Sequence, residues 1–308
     1  MRYAHHTPWS PRTRRARHAR PTPRRAPHLW HVLLAFFLTA LLATPATAAE
    51  DPRPLPAPTL MDSDLSAQGA EIYEGAAFDT CEAPSLDTMR GWLASPYRAV
   101  GIYVGGAGRA CPAQPNLTPD WVTGVSELGW RLLPLYVGSQ SPCVLDKAKS
   151  AVPIDADRPW QQGVTEAADA IASAEALGLA PGSPLYLDIE NYDHLDASCA
   201  RTTLAFIQGF SRELREEGWI PGLYSSAASG IAHMESARAA GAVDLPDVLW
   251  FARWETSPTL DGEPSLDPAA WQPHRRIHQY AGDVTETHGG RRLAIDRNLV
   301  HAPVAVLR

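Results

Sequence analysis

The chain has 308 residues, with 27 Lys and Arg against 34 Asp and Glu and a formal charge of −7. The first 48 residues hold eight of the arginines and no acid. The remaining 260 residues therefore carry 19 basic against 34 acidic side chains, a charge of −15. That excess argues against nucleic acid and anionic membranes as partners, and the length suits one large α/β domain better than two small ones.

Arg2, Arg12, Arg14, Arg15, Arg17, Arg20, Arg24 and Arg25 precede an apolar run at 32–43 and a small-residue site, Ala46-Thr47-Ala48. A basic leader, an apolar segment and a small-residue site in that order make a cleavable secretory signal. The run is about 12 residues long, short of the roughly 17 to 25 that a membrane helix needs. Residues 1–48 are read as a signal peptide for the Sec or twin-arginine route. The mature protein is expected to be a secreted or cell-wall-associated monomer without a membrane span. Residues 49–71, rich in proline and lacking an apolar period, read as a flexible lead-in, and 72–308 as the folded domain.

From there strands alternate with helical stretches. Strands are predicted at 75–80, 99–104, 131–137, 185–190, 220–225, 248–254, 277–281 and 293–299. Helices are predicted near 86–93, 119–128, 161–177, 200–217 and 229–240. Thr118 before Pro119 is a helix start signal, and Gly178 and Gly218 stand where a left-handed residue ends a helix. The stretch 255–275 shows no helical period. Eight strands with helical crossovers imply a parallel, closed (β/α)₈ barrel of the TIM type, its last strands poor in helices. An open doubly wound sheet is the alternative. The glycines Gly105, Gly106 and Gly108 run into Arg109, Cys111 and Pro112 rather than a helix, so they form a tight loop and not a nucleotide site.

Cys81, Cys111, Cys143 and Cys199 are an even set in an exported chain, which points to two disulfides with three possible connectivities. Pairing Cys81 with Cys111 and Cys143 with Cys199 joins successive loops and is preferred. No Cys-x-x-Cys spacing suggests zinc.

The strand ends carry the chemistry. Pro184-Leu185-Tyr186-Leu187-Asp188-Ile189-Glu190 is an apolar strand ending in two carboxylates at i and i+2, which share one face. Crowding and burial push a proton onto one of two such acids, the split that glycoside hydrolysis uses. Asp79 ends the first strand and Asp296 lies on the eighth. Tyr103, Tyr136, Tyr224, Trp250, Arg253, Trp254, Gln279, Tyr280 and Asn298 complete a set of aromatic faces and amides suited to a carbohydrate. Arg253 could instead be an ion-pair partner of Asp79 or Asp296. By its place at the strand tip Glu190 is expected to hold the raised pKa while Asp188 stays ionised. No cofactor or metal is expected, since His278 is the one histidine at these strand ends.

The ordered set Phe78-Asp79-Thr80-Cys81, Leu187-Asp188-Ile189-Glu190, Trp250-Phe251-Ala252-Arg253-Trp254, His278-Gln279-Tyr280 and Ile295-Asp296-Arg297-Asn298 resembles the actinobacterial domain family of unknown function 1906. This is a glycoside hydrolase-like family, more distantly similar to the family 25 muramidases. The resemblance implies a barrel with five regular β/α units and a cell-wall or other N-acetylated glycan as substrate. By the same resemblance Glu190 is the general acid, Asp188 the carboxylate that stabilises charge or positions the N-acetyl group, and Asp79 and Asp296 supporting acids. The alternative is a glycan-binding envelope protein whose cleft has lost turnover.

Overall fold

The computed structural model describes residues 64–308, so the signal-peptide reading and residues 49–63 of the lead-in lie outside it. Eight strands close into one barrel in sequence order: β1 (Ile72–Asp79), β2 (Ala99–Gly105), β3 (Arg131–Tyr136), β4 (Pro184–Asp188), β5 (Ile220–Ser226), β6 (Val248–Ala252), β7 (Arg276–His288) and β8 (Arg291–Pro303). The expected closed barrel is what forms, and the open sheet is ruled out. Five α-helices cover it: α1 (Leu86–Gly91), α2 (Pro119–Glu127), α3 (Pro159–Ala176), α4 (Ala197–Glu216) and α5 (Ala232–Ala239). The Thr118 hydroxyl accepts the Trp121 N–H at the start of α2, and Gly178 and Gly218 have φ of 86° and 77°. The segment expected as one helix at 229–240 opens with a π turn, Ala227–Ile231.

The barrel departs from an all-parallel sheet. Strands β1 to β7 run parallel to their sequence neighbours, whereas β8 is antiparallel to both β7 and β1. A two-glycine turn, Gly289 and Gly290 with φ of 53° and 74°, replaces a crossover. Both strands of this hairpin run 13 residues, longer than the sequence suggested. No α-helix lies between β6 and β7, in keeping with the aperiodic 255–275 stretch. There the buried Arg276 guanidinium donates to the carbonyls of Leu260, Asp267, Pro268 and Ala270, holding a segment that has no ladder of its own.

Alternation along each strand sorts the side chains. Ala77, Ala99, Leu133, Leu135, Tyr186, Val248, Trp250, Ile277, Val300 and Ala302 fill the barrel interior. The opposite face, with Phe78, Val100, Leu132, Tyr136, Leu187, Leu223 and Phe251, packs under the helices. The lead-in is not wholly loose as expected. Residues 64–71 include the short turn Ser66–Gln68, and Leu65, 2% exposed, joins the interior cluster. A lone leucine without periodic neighbours gives no sequence signal, yet burying it is worth roughly 2 kcal/mol.

Candidate active site

The inward parity of each strand, continued one or two residues past the packed layers, brings Asp79, Tyr103, Asp188, Tyr224, Gln279, Asp296 and Asn298 to one end of the barrel. Because β8 runs backwards, Asp296 and Asn298 enter from its first half, and Asp296 pairs directly with Asp79 in the ladder. Above them opens a cleft of about 430 Å³, whose lining includes Asp79, Tyr103, Asp188, Glu190, Tyr224, Trp254 and Asp296.

The floor is a hydrogen-bonded set centred on Asp79, which is 1% exposed. Its Oδ1 accepts from the Tyr103 hydroxyl at 3.1 Å, and its Oδ2 accepts from Asn298 Nδ2 at 2.7 Å and Gln279 Nε2 at 3.0 Å. Gln279 Oε1 in turn accepts from Tyr224 Oη and Trp254 Nε1, both at 2.9 Å, which fixes the amide's orientation. Burial raises the Asp79 pKa against the pull of these donors. Asp296 accepts the Asp283 N–H at 2.7 Å. Its pKa is pushed up to about 7, first by burial and then by the charge of Asp79. Burial and the surrounding carboxylates hold Tyr103 and Tyr224 as neutral phenols.

On the opposite wall, β4 ends at Asp188, and Glu190 stands two residues beyond it. Asp188 is 3% exposed and its Oδ1 has no hydrogen-bond partner among the described residues. Burial and then the charge of Glu190 push its pKa well up, while the Lys149 ammonium works the other way. The raised pKa thus falls on Asp188, the acid expected to stay ionised. The deeper position removes water and supplies no donor, and desolvation wins. Glu190 is nearer solvent, with Lys149 Nζ 3.0 Å from its Oε1.

Four of the expected contact residues fall elsewhere. Tyr136 has outward parity and donates to Asp169 on α3 at 2.7 Å. Trp250 is fully buried beneath the floor, where its Nε1 donates to Asn298 Oδ1 at 2.8 Å. Arg253 lies past the end of β6 and makes a two-pronged pair with Glu263, both contacts at 2.6 Å, rather than with Asp79 or Asp296. Tyr280 sits on the outer face against His278. Trp254, 46% exposed, keeps its indole on the rim of the cleft. Lys149 and Arg109 also line the cleft, and both lie in aperiodic loops where sequence offers only residue type.

Both disulfides form as preferred, Cys81–Cys111 and Cys143–Cys199. The first lines the cleft. Among the described residues the one group of side chains close enough to share an ion is Cys143, Asp196 and Cys199, and both thiols there are consumed in a disulfide.

The sequence profile of the Rv2525c-like, glycoside hydrolase-like domain matches residues 90–300. The chain belongs to this family. The matched span contains Asp188, Glu190, Gln279, Asp296 and Asn298, while Asp79 precedes it. Among solved structures, the spore cortex lytic enzyme SleM of Clostridium perfringens shares 16% identity with a TM-score of 0.50, over 74% of this chain and 67% of that one. The Tat-secreted protein Rv2525c of Mycobacterium tuberculosis gives 16% and 0.49 over 74% and 96%. An uncharacterized B. stearothermophilus protein gives 19% and 0.47 over 73% and 95%. At 16% identity the likeness to SleM is one of fold alone. No curated protein matches.

Proposed function

We propose that this member of the glycoside hydrolase-like family is an exported hydrolase of amino-sugar cell-wall glycan, with Glu190 as general acid and Asp188 as its partner. The observation that carries the reading is the unequal pair of acids in one cleft: Asp188 buried with an unpartnered Oδ1, and Glu190 at the mouth. A buried carboxyl oxygen without a donor is costly, and the acetamido N–H of a bound sugar is a donor of the right kind. Once it donates to Asp188, that carboxylate is stabilised as an anion and can position the N-acetyl group or offset developing positive charge. The Trp254 indole offers a face for a sugar ring, and Tyr103, Tyr224 and the floor amides offer hydroxyl partners. Two disulfides support export to an oxidising compartment. No helix among the described residues is long and apolar enough to cross a membrane.

One observation favours a second reading, a glycan-binding protein without turnover: Lys149 Nζ stands 3.0 Å from Glu190 Oε1, so an ammonium already engages the oxygen that would have to face a glycosidic oxygen. The mature protein incubated with peptidoglycan and chitin from acidic to neutral pH separates the two. Hydrolysis predicts released fragments by mass spectrometry and a loss of about 10²-fold or more in Glu190→Gln. Binding that Glu190→Gln leaves unchanged, with no fragments from either protein, supports the second reading and overturns the first.

A further inference from the structure

The geometry points to Gln140, in the loop after β3, as the positioning residue of the acid pair; the assignment deepens the hydrolase reading and rests on it. The β3–β4 ladder stops at the pair Tyr136↔Leu187. Beyond it the Asp188 carbonyl and the Glu190 N–H are met by a single side chain, before main-chain pairing resumes at Asn191 and Asp193 with Leu145 and Cys143. Gln140 is 0% exposed. Its Nε2 donates to the Asp188 carbonyl and its Oε1 accepts the Glu190 N–H, each at 2.8 Å. On the other side the Ile189 N–H donates to the Tyr224 carbonyl at 3.0 Å, so residues 188–190 are gripped from both flanks.

The two partners dictate the residue type. A carbonyl and an N–H must be met at once from one side chain, and an amide presents both a donor and an acceptor in that spacing at every pH. A buried amide is costly unless both ends are bonded, so an apolar side chain would serve better if filling space were the task. Gln140 is itself held: its N–H donates to the Val152 carbonyl and its carbonyl accepts the Ile154 N–H, both at 2.8 Å. The segment thus closed, 140–154, brings Lys149 to Glu190 and is tied to α4 by Cys143–Cys199. Gln140 thereby sets the Cα positions from which both carboxyls reach into the cleft. A displacement of about 1 Å at such a site costs on the order of 10² in rate.

The test uses the mature protein with ¹³C-labelled carboxyl groups, the Asp188 and Glu190 resonances assigned from Asp188→Asn and Glu190→Gln. Gln140→Met keeps the length and removes both hydrogen bonds. It is expected to fold, to shift or broaden those two resonances while leaving that of the exposed Asp283 in place, and to lose about 100-fold in turnover with affinity for uncleaved oligosaccharide within about threefold. Gln140→Glu presents a donor and an acceptor while its carboxyl is protonated and no donor once ionised. Its turnover and resonances should approach the wild type at acid pH and diverge as pH rises. A folded Gln140→Met with both resonances and turnover unchanged overturns the assignment. If Gln140→Met does not fold, a Gln140→Glu pH profile identical to the wild type overturns it equally. If the wild type cleaves nothing while the resonances still move, the positioning role stands and the hydrolase reading falls.

Discussion

Replacing Asp296 by Asn should make the protein more stable at pH 8 and leave it unchanged near pH 3.5. The folded state moves this carboxyl from an ordinary 3.8 to about 7, through burial and then the charge of Asp79. Below about pH 3.8 both folded and unfolded chains carry the proton and the shift contributes nothing. As pH rises the unfolded chain ionises freely while the folded one holds its proton, so stability falls until about pH 7 and is flat beyond. A shift of about 3 units corresponds to about 4 kcal/mol. The carboxyl keeps partial contact with solvent, which screens the effect to about 2 kcal/mol. Asparagine is uncharged at every pH, and its oxygen can still accept the Asp283 N–H that Asp296 takes at 2.7 Å. For a domain of this size about 2 kcal/mol is roughly 6 °C in Tm. Urea denaturation of both proteins from pH 3.5 to 8 reads the difference directly. A gain that does not grow between pH 4 and 7, or a variant less stable than wild type at pH 8, refutes the reasoning.

Lys149→Met removes the cation that opposes the upward shift of Asp188, so the Asp188 carboxyl resonance should titrate at higher pH than in the wild type; an unchanged midpoint contradicts the assignment. Replacing Cys143 and Cys199 together by serine opens a connection of 56 residues. The chain-entropy relation puts that loss at about 4 kcal/mol by chemical denaturation, and less than about 1 kcal/mol would show the unfolded chain gains little from the cut. Gly101→Ala places a methyl 2.6 Å from the Asp79 Cβ and 3.1 to 3.2 Å from Leu135 and Trp250. It should cost about 1 to 3 kcal/mol and disturb the cleft floor; a wild-type Tm counts against the packing described.

The barrel was legible because alternating strand and helix signals leave few topologies, and the Asp188–Glu190 pair because two acids ending an apolar strand have no bland explanation. Strand direction was not legible. An apolar run reads alike in either sense, although Gly289-Gly290, between 276–288 and 291–303, is a dipeptide that suits a hairpin turn. Tyr136 was misassigned by parity alone. Leu133 and Leu135 face the interior, so its neighbour must face the helices, but parity is known only once the register is. Gln140 and Lys149 lie in a loop where no periodicity singles them out, and their importance comes from what the fold brings opposite them. The raised pKa of Asp188 is illegible for a different reason. Sequence places it beside Glu190, but only the fold determines that no donor among the described residues reaches its Oδ1.

The hairpin that closes the barrel also sets when it can close. Strand β1 holds eight partners on β8 and three on β2, so the earliest strand to be made waits for the latest. A chain cut just before residue 291 leaves β1 and β7 as raw edges, and an earlier cut leaves β1 and whichever strand is then last, open to pairing with other chains. Assembly must therefore follow completion of the polypeptide rather than accompany it. Truncated products are expected to be aggregation-prone fragments and not smaller working domains.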